Sequence, residues 1–70
     1  MREWLVELRN KKGLTQEDVA IKSDVARAYI TQIETGDRRP SVQVAKRIAE
    51  AVGFEWTIFF ETDSNKTLHK

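Results

Sequence analysis

The stretch Thr15-Gln16-Glu17-Asp18-Val19-Ala20-Ile21-Lys22-Ser23-Asp24-Val25-Ala26-Arg27-Ala28-Tyr29-Ile30-Thr31-Gln32-Ile33-Glu34-Thr35-Gly36 decides the fold. Thr15 is a good helix N-cap, and Asp18 three positions on forms a shortened capping box. Glu17 and Asp18 also place negative charge at the positive end of the helix dipole. A helix over about Gln16 to Lys22 follows. Ser23-Asp24 interrupts it, and aspartate is among the few residues that tolerate a left-handed backbone, so a tight turn is expected there. The next helix begins at once and ends at Gly36. At about 100° per residue, Ala26, Tyr29, Ile30 and Ile33 share the arc that must pack on a core. The opposite arc carries Arg27, Ala28, Thr31, Gln32 and Thr35.

Upstream, Met1, Trp4, Leu5 and Leu8 recur at helical spacing, and Lys11, Lys12 and Gly13 suit a helix C-terminus. Downstream, Pro40 pushes Arg39 out of the helical region, and Ser41 is placed to cap a fourth helix. Val44, Ala45, Ile48, Ala49 and Val52 form its apolar stripe, and Gly53 ends it. The segment Phe54 to Phe60 has the aromatic and β-branched content of a strand, but a lone strand would have no partner, so a short fifth helix is assigned. Thr62 to Lys70 read as a polar tail after a domain over 1–61. The fold class is therefore all-α, a compact arrangement of five helices.

Composition bounds the function without naming it. Seventy residues make one domain with a modest core, which dimerisation would supplement. There is no cysteine, so no disulfide framework and no thiolate metal site is expected, and a reducing cytosol is compatible. The longest apolar run, Ile58 to Phe60, is too short for a bilayer, and no leader is evident, so a soluble cytoplasmic protein without a membrane role is expected. Twelve Lys and Arg against eleven Asp and Glu give a net charge of +1, which does not by itself announce nucleic acid. Any such footprint must arise from the sorting of charges onto faces.

Catalysis has little to work with. The single histidine, His69, lies in the tail, and Glu17 with Asp18 is explained by helix capping rather than by acid and base work. No cluster of ligand residues has metal spacing, and no cofactor is expected. The face of Arg27, Ala28, Thr31 and Gln32 has two readings. One is an ordinary solvated helix surface. The other is a major-groove reader, since arginine can donate twice to guanine, glutamine can pair with adenine, and threonine or alanine methyls can touch thymine. Two short helices joined by a brief turn, with small Ala20 where they cross and Ile30 and Ile33 anchoring the second, form the helix-turn-helix layout that favours the second reading.

In Leu8-Arg9, Lys12-Gly13-Leu14-Thr15-Gln16-Glu17-Asp18-Val19-Ala20, Tyr29-Ile30-Thr31-Gln32-Ile33-Glu34-Thr35-Gly36, Pro40-Ser41 and Ile48-Ala49-Glu50-Ala51-Val52-Gly53, the chain resembles the lambda-repressor-like family of phage and bacterial regulators, the Cro/repressor or XRE type. The match runs almost to Phe60. The resemblance implies that Gln16 bonds a phosphate and braces the recognition helix, and that Arg27, Ala28 and Gln32 read bases. Tyr29 and Thr31 would then reach phosphates or thymine methyls, and Arg38 and Arg39 would lie along the DNA backbone or minor groove. Arg9 and Glu34 match an ion pair that ties the first helix to the end of the third. Two positions depart from the pattern. Asp24 stands where the turn commonly has glycine, so that the turn is either strained or stabilised by the Asp side chain bonding to nearby backbone, and Ala26 stands where Ser or Thr commonly caps the recognition helix.

The implied function is that of a transcriptional regulator, a repressor in the first instance. A homodimer would set two recognition helices about 34 Å apart on a near-palindromic double-stranded operator. Antitoxins resembling this family also bind a toxin, for which Trp56 to Phe60 offers a surface, and a helical protein-interaction module without DNA binding is the further alternative. Trp4, Trp56, Phe59 and Phe60 are read as core or dimer surface rather than as a stacking platform for single strands.

Overall fold

The computed structural model describes residues 1–61, and the expected polar tail from Thr62 to Lys70, with Leu68 and His69, lies outside them. Four helices run in order, α1 (Glu3–Lys11), α2 (Gln16–Ser23), α3 (Arg27–Thr35) and α4 (Val42–Val52). A short helical segment at 58–61, α5, completes an all-helical architecture. No helix among the described residues is long and apolar enough to cross a membrane.

Local chemistry sets the boundaries. Thr15 and Asp18 cap α2 reciprocally, with the Asp18 N–H donating to Thr15 Oγ1 at 3.0 Å and the Thr15 N–H donating to Asp18 Oδ2 at 2.9 Å. Ser41 caps α4 by accepting from the Val44 N–H at 3.2 Å. Gly53, left-handed at φ 98, closes α4. Its N–H and that of Phe54 both reach the Ala49 carbonyl, at 2.7 and 3.0 Å. Phe54 therefore belongs to the end of α4, and a bend through Glu55 to Thr57 must intervene before α5 can start. This is why the fifth helix is shorter than the apolar segment that predicts it.

The core is a single cluster. Leu5 from α1, Val19 and Ala20 from α2, Ile30 and Ile33 from α3, Ala45, Ile48 and Val52 from α4, and Phe59 from α5 are all buried. Small side chains lie where α2 meets its neighbours: Ala20 and Ala45 are 5% and 0% exposed, and α2 packs on both α3 and α4. Burial of each large aliphatic residue here is worth about 1.5 to 3 kcal/mol relative to exposure. Trp4, Phe54 and Phe59 meet edge to face, with centroids 5.2 to 5.6 Å apart, and this aromatic cluster fastens α1 to the segment after α4. The expectation of core for Trp4 and Phe59 thus holds, while Met1 is 74% exposed and lies before α1 rather than within its apolar stripe.

Candidate nucleic-acid interface

The turn between α2 and α3 is made by one residue in an unusual conformation. Asp24 adopts φ 60, ψ 46, and it is the one described residue other than glycine with positive φ. Aspartate tolerates this region better than most side chains. The turn is secured by main chain, the Val25 N–H donating to the Ala20 carbonyl at 3.0 Å. Of the two alternatives for this turn, the bond from the Asp24 side chain to nearby backbone is not formed, and the left-handed backbone is carried by Asp24 itself. Ser23 is buried behind the turn, its hydroxyl donating to the Val19 carbonyl one helical turn back.

This turn sends α3 across the surface with Ile30 and Ile33 inward and Arg27, Ala28, Gln32 and Thr35 outward, while Tyr29 and Thr31 are half-buried. Ala26, assigned by periodicity to the inward arc, is exposed instead. It occupies the N-cap position with extended backbone, where the chain has not yet entered the helical rotation that the arc assumes, and it supplies no capping hydrogen bond.

Behind the outward face lies a polar brace centred on Glu34. Its carboxylate accepts from Arg9 twice, Nε to Oε2 at 2.6 Å and Nη2 to Oε1 at 3.3 Å, in the forked geometry that suits arginine and carboxylate. Both side chains are well shielded, at 12% and 4% exposed. Arg9 Nη1 also donates to the Leu14 carbonyl at 3.0 Å, so the ion pair holds the loop before α2 as well. Gln16 completes the brace. Its Nε2 donates to Glu34 Oε1 at 2.9 Å, and its Oε1 accepts from the Thr31 hydroxyl at 3.0 Å. Gln16 thus bridges two α3 side chains one turn apart, with one N–H of its amide committed inward. Arg9, Gln16 and Arg27 line one open cleft at the start of α3, together with Leu14, Thr15 and Glu17.

The two loop arginines part company. Arg38 turns back to α3, its guanidinium 5.1 Å from the Tyr29 ring centroid and its Nε donating to Gln32 Oε1 at 2.9 Å. Arg39 lies over the Phe60 ring at 5.7 Å and makes none of these contacts with α3. Among the expected site residues, the structure therefore joins Gln16 to Thr31 and Glu34, and Arg38 to Tyr29 and Gln32, and leaves Arg39 with the C-terminal aromatics.

One residue escaped sequence reasoning. Arg2 is 8% exposed and ties down the C-terminal end of α3. Its backbone N–H donates to the Glu34 carbonyl at 2.7 Å, and its Nη1 donates to the carbonyls of Ile33 at 2.6 Å and Arg38 at 3.1 Å. Ile33 and Glu34 stand in the last turn of α3, so a cation there adds to the bonding of that end and meets the negative end of the dipole. An arginine before a helix carries no local signal of a partner more than thirty residues away.

A helix-turn-helix family model matches residues 5–59. The chain is 55% identical over 69 residues to the uncharacterized HTH-type transcriptional regulator YqaF of Bacillus subtilis (strain 168), covering 99% of this chain and 91% of that one. It is 44% identical over 55 residues to an uncharacterized HTH-type transcriptional regulator of Methanothermobacter thermautotrophicus, covering 79% and 80%. Among solved structures, the restriction-modification controller protein C.Esp1396I superposes with a TM-score of 0.69 at 32% identity, covering 94% of this chain and 86% of that chain. The same controller bound to a 25 base pair operator site gives 0.67 at 33% identity, covering 91% and 84%. Family model, relatives and structures agree with the pattern from Leu8 to Gly53, and the chain belongs to the XRE-type, lambda-repressor-like helix-turn-helix family.

Proposed function

We propose that this protein is a sequence-specific double-stranded DNA-binding transcriptional regulator, acting as a repressor. A homodimer presents two α3 helices to successive major grooves of a near-palindromic operator. The observation that carries this reading is the division of α3. One side is buried and braced through Glu34, Arg9 and Gln16, while Arg27, Ala28 and Gln32 stand outward on a helix that follows a tight turn. A side chain that reads a base edge must be held by a rigid element, and the small Ala28 lets the helix approach.

Arg27 and Gln32 meet base edges, Tyr29 and Thr31 flank them, Gln16 uses its remaining N–H on a phosphate, and Arg39 follows the backbone. The net charge of +1 supports selective rather than strong non-specific binding, because phosphate neutralisation supplies most of the latter. The superposition with an operator-bound controller supports the same docking.

The test is selection of bound duplexes from a random pool at two salt concentrations. An enriched, near-palindromic sequence is expected, and Arg27→Ala should lower affinity for it by about 1 to 3 kcal/mol and relax preference at one base pair. A pool without enrichment would sink the operator reading and leave a protein partner as the function to pursue.

A further inference from the structure

Gln32 and Arg38 are joined twice. The Arg38 backbone N–H donates to the Gln32 carbonyl at 3.2 Å, and the guanidinium Nε donates to Gln32 Oε1 at 2.9 Å. The guanidinium is also held over the Tyr29 ring, with Cζ 5.1 Å from the centroid. Tyr29 and Gln32 stand three residues apart on α3, hence on neighbouring parts of one side. A loop cation is thereby fixed against the face that carries the proposed base reader.

The contact dictates which end of the Gln32 amide faces outward. Arginine has five N–H donors and no acceptor, so only the oxygen of the amide can face it, and turning the amide over would oppose N–H to N–H. Gln32 Nε2 is then the leading end, and its N–H bonds have no partner among the described residues. A glutamine free to choose reads adenine with both ends, accepting from N6 and donating to N7. One that leads with donors suits guanine, whose N7 and O6 are both acceptors, whereas adenine sets a donor beside its N7.

Resting on the reading that α3 enters a major groove, we infer that Arg38 is a specificity-determining residue, which locks the Gln32 amide so that Gln32 reads guanine rather than adenine. Arg38 acts here through Gln32, and its charge is secondary. This differs from the backbone role that the family resemblance implies for it, and it separates Arg38 from its neighbour Arg39.

The experiment uses the operator selected by the parent protein and the position at which Gln32→Ala flattens preference. Affinities are measured for duplexes carrying each of the four base pairs there. The parent should favour guanine over adenine roughly tenfold, within the range that one good base contact supplies. Arg38→Ala and Arg38→Met should both lose this preference, with adenine rising to parity or above, while preference at the pair read by Arg27 stays as in the parent. Methionine keeps an apolar stem against Tyr29 without any donor, and thermal melting of both variants verifies the fold. The inference is overturned if both variants weaken all four duplexes by one common factor, if the parent prefers adenine at that position, or if no position responds to Gln32→Ala. Each of those failures leaves an enriched operator in hand, whereas failure of the operator reading itself appears as no enrichment for the parent.

Discussion

The two ends of α3 are built on opposite plans. At the C-terminal end, Glu34 is clasped by Arg9 and Gln16, Arg2 bonds the carbonyls of Ile33 and Glu34, and Gly36 turns the chain away at φ 90. At the N-terminal end, Ala26 offers no side-chain cap, and Arg27 and Ala28 are exposed. The helix is anchored where it meets the core and left open where it would meet DNA. An uncapped first turn leaves backbone N–H groups and the positive end of the dipole available to a phosphate. The lower helical stability of that end is the counterpart of its availability.

The comparison breaks most visibly at Glu34. Glu34→Ala leaves Arg9 shielded without its partner, and unfolding in urea should show a loss of about 3 kcal/mol, the lower part of the range for breaking a buried pair because Arg9 retains some exposure. A loss below about 1 kcal/mol, the value of an exposed pair, would show that the anchored end does not depend on this brace. A smaller effect of opposite sign is expected at the open end. Ala26→Ser should supply the missing cap and raise stability by about 0.5 to 2 kcal/mol. If the open N-terminus serves phosphate binding, the added hydroxyl should also change operator affinity, which titration of the same variant would read.

Comparison of α2 with α3 sharpens the point, because α2 has the cap that α3 lacks. Thr15→Ala should cost about 1 kcal/mol in thermal or chemical unfolding, with the effect confined to α2 in amide exchange. The smallest effect concerns pH. The backbone and side chain of Thr15, bonded to the Asp18 carboxylate, hold its pKa below the ordinary value of 3.8, with Lys22 contributing in the same direction. A carboxyl depressed in the folded state stabilises the fold above its unfolded value, and that contribution disappears as pH falls through the folded value. The stability difference between the parent and Asp18→Asn should therefore be constant near neutrality and vanish in acid below pH 3.8. A difference that persists undiminished well below that range would show that the box does not depend on the carboxylate charge.

Much of the fold was legible because its decisive signals are local. Thr15 with Asp18, Ser41, Gly36 and Gly53 mark helix ends through bonds spanning a few residues, and Asp24 marks the turn through its own backbone preference. The pairing of Arg9 with Glu34 was legible only through the family resemblance, since twenty-five positions separate the two residues. Ala26 was misplaced because periodicity treats a cap as though it already turned with the helix. Arg2 gave no signal, since its partners are main-chain carbonyls, which look alike in any sequence. The different placement of Arg38 and Arg39 was likewise hidden, for it depends on which aromatic ring each guanidinium finds, Tyr29 or Phe60.

Arg2 also sets an order in time. Its guanidinium bonds the carbonyls of residues 31 and 36 positions further along the chain. During synthesis Arg2 precedes these partners, and its bond to the Arg38 carbonyl can form only after Arg38 has left the ribosome. The residues of α2 and α3 are complete in sequence by Thr35, before that point. The bonds that Arg2 makes therefore require the C-terminal end of α3 and the loop to Arg38 to be present, and cannot precede them.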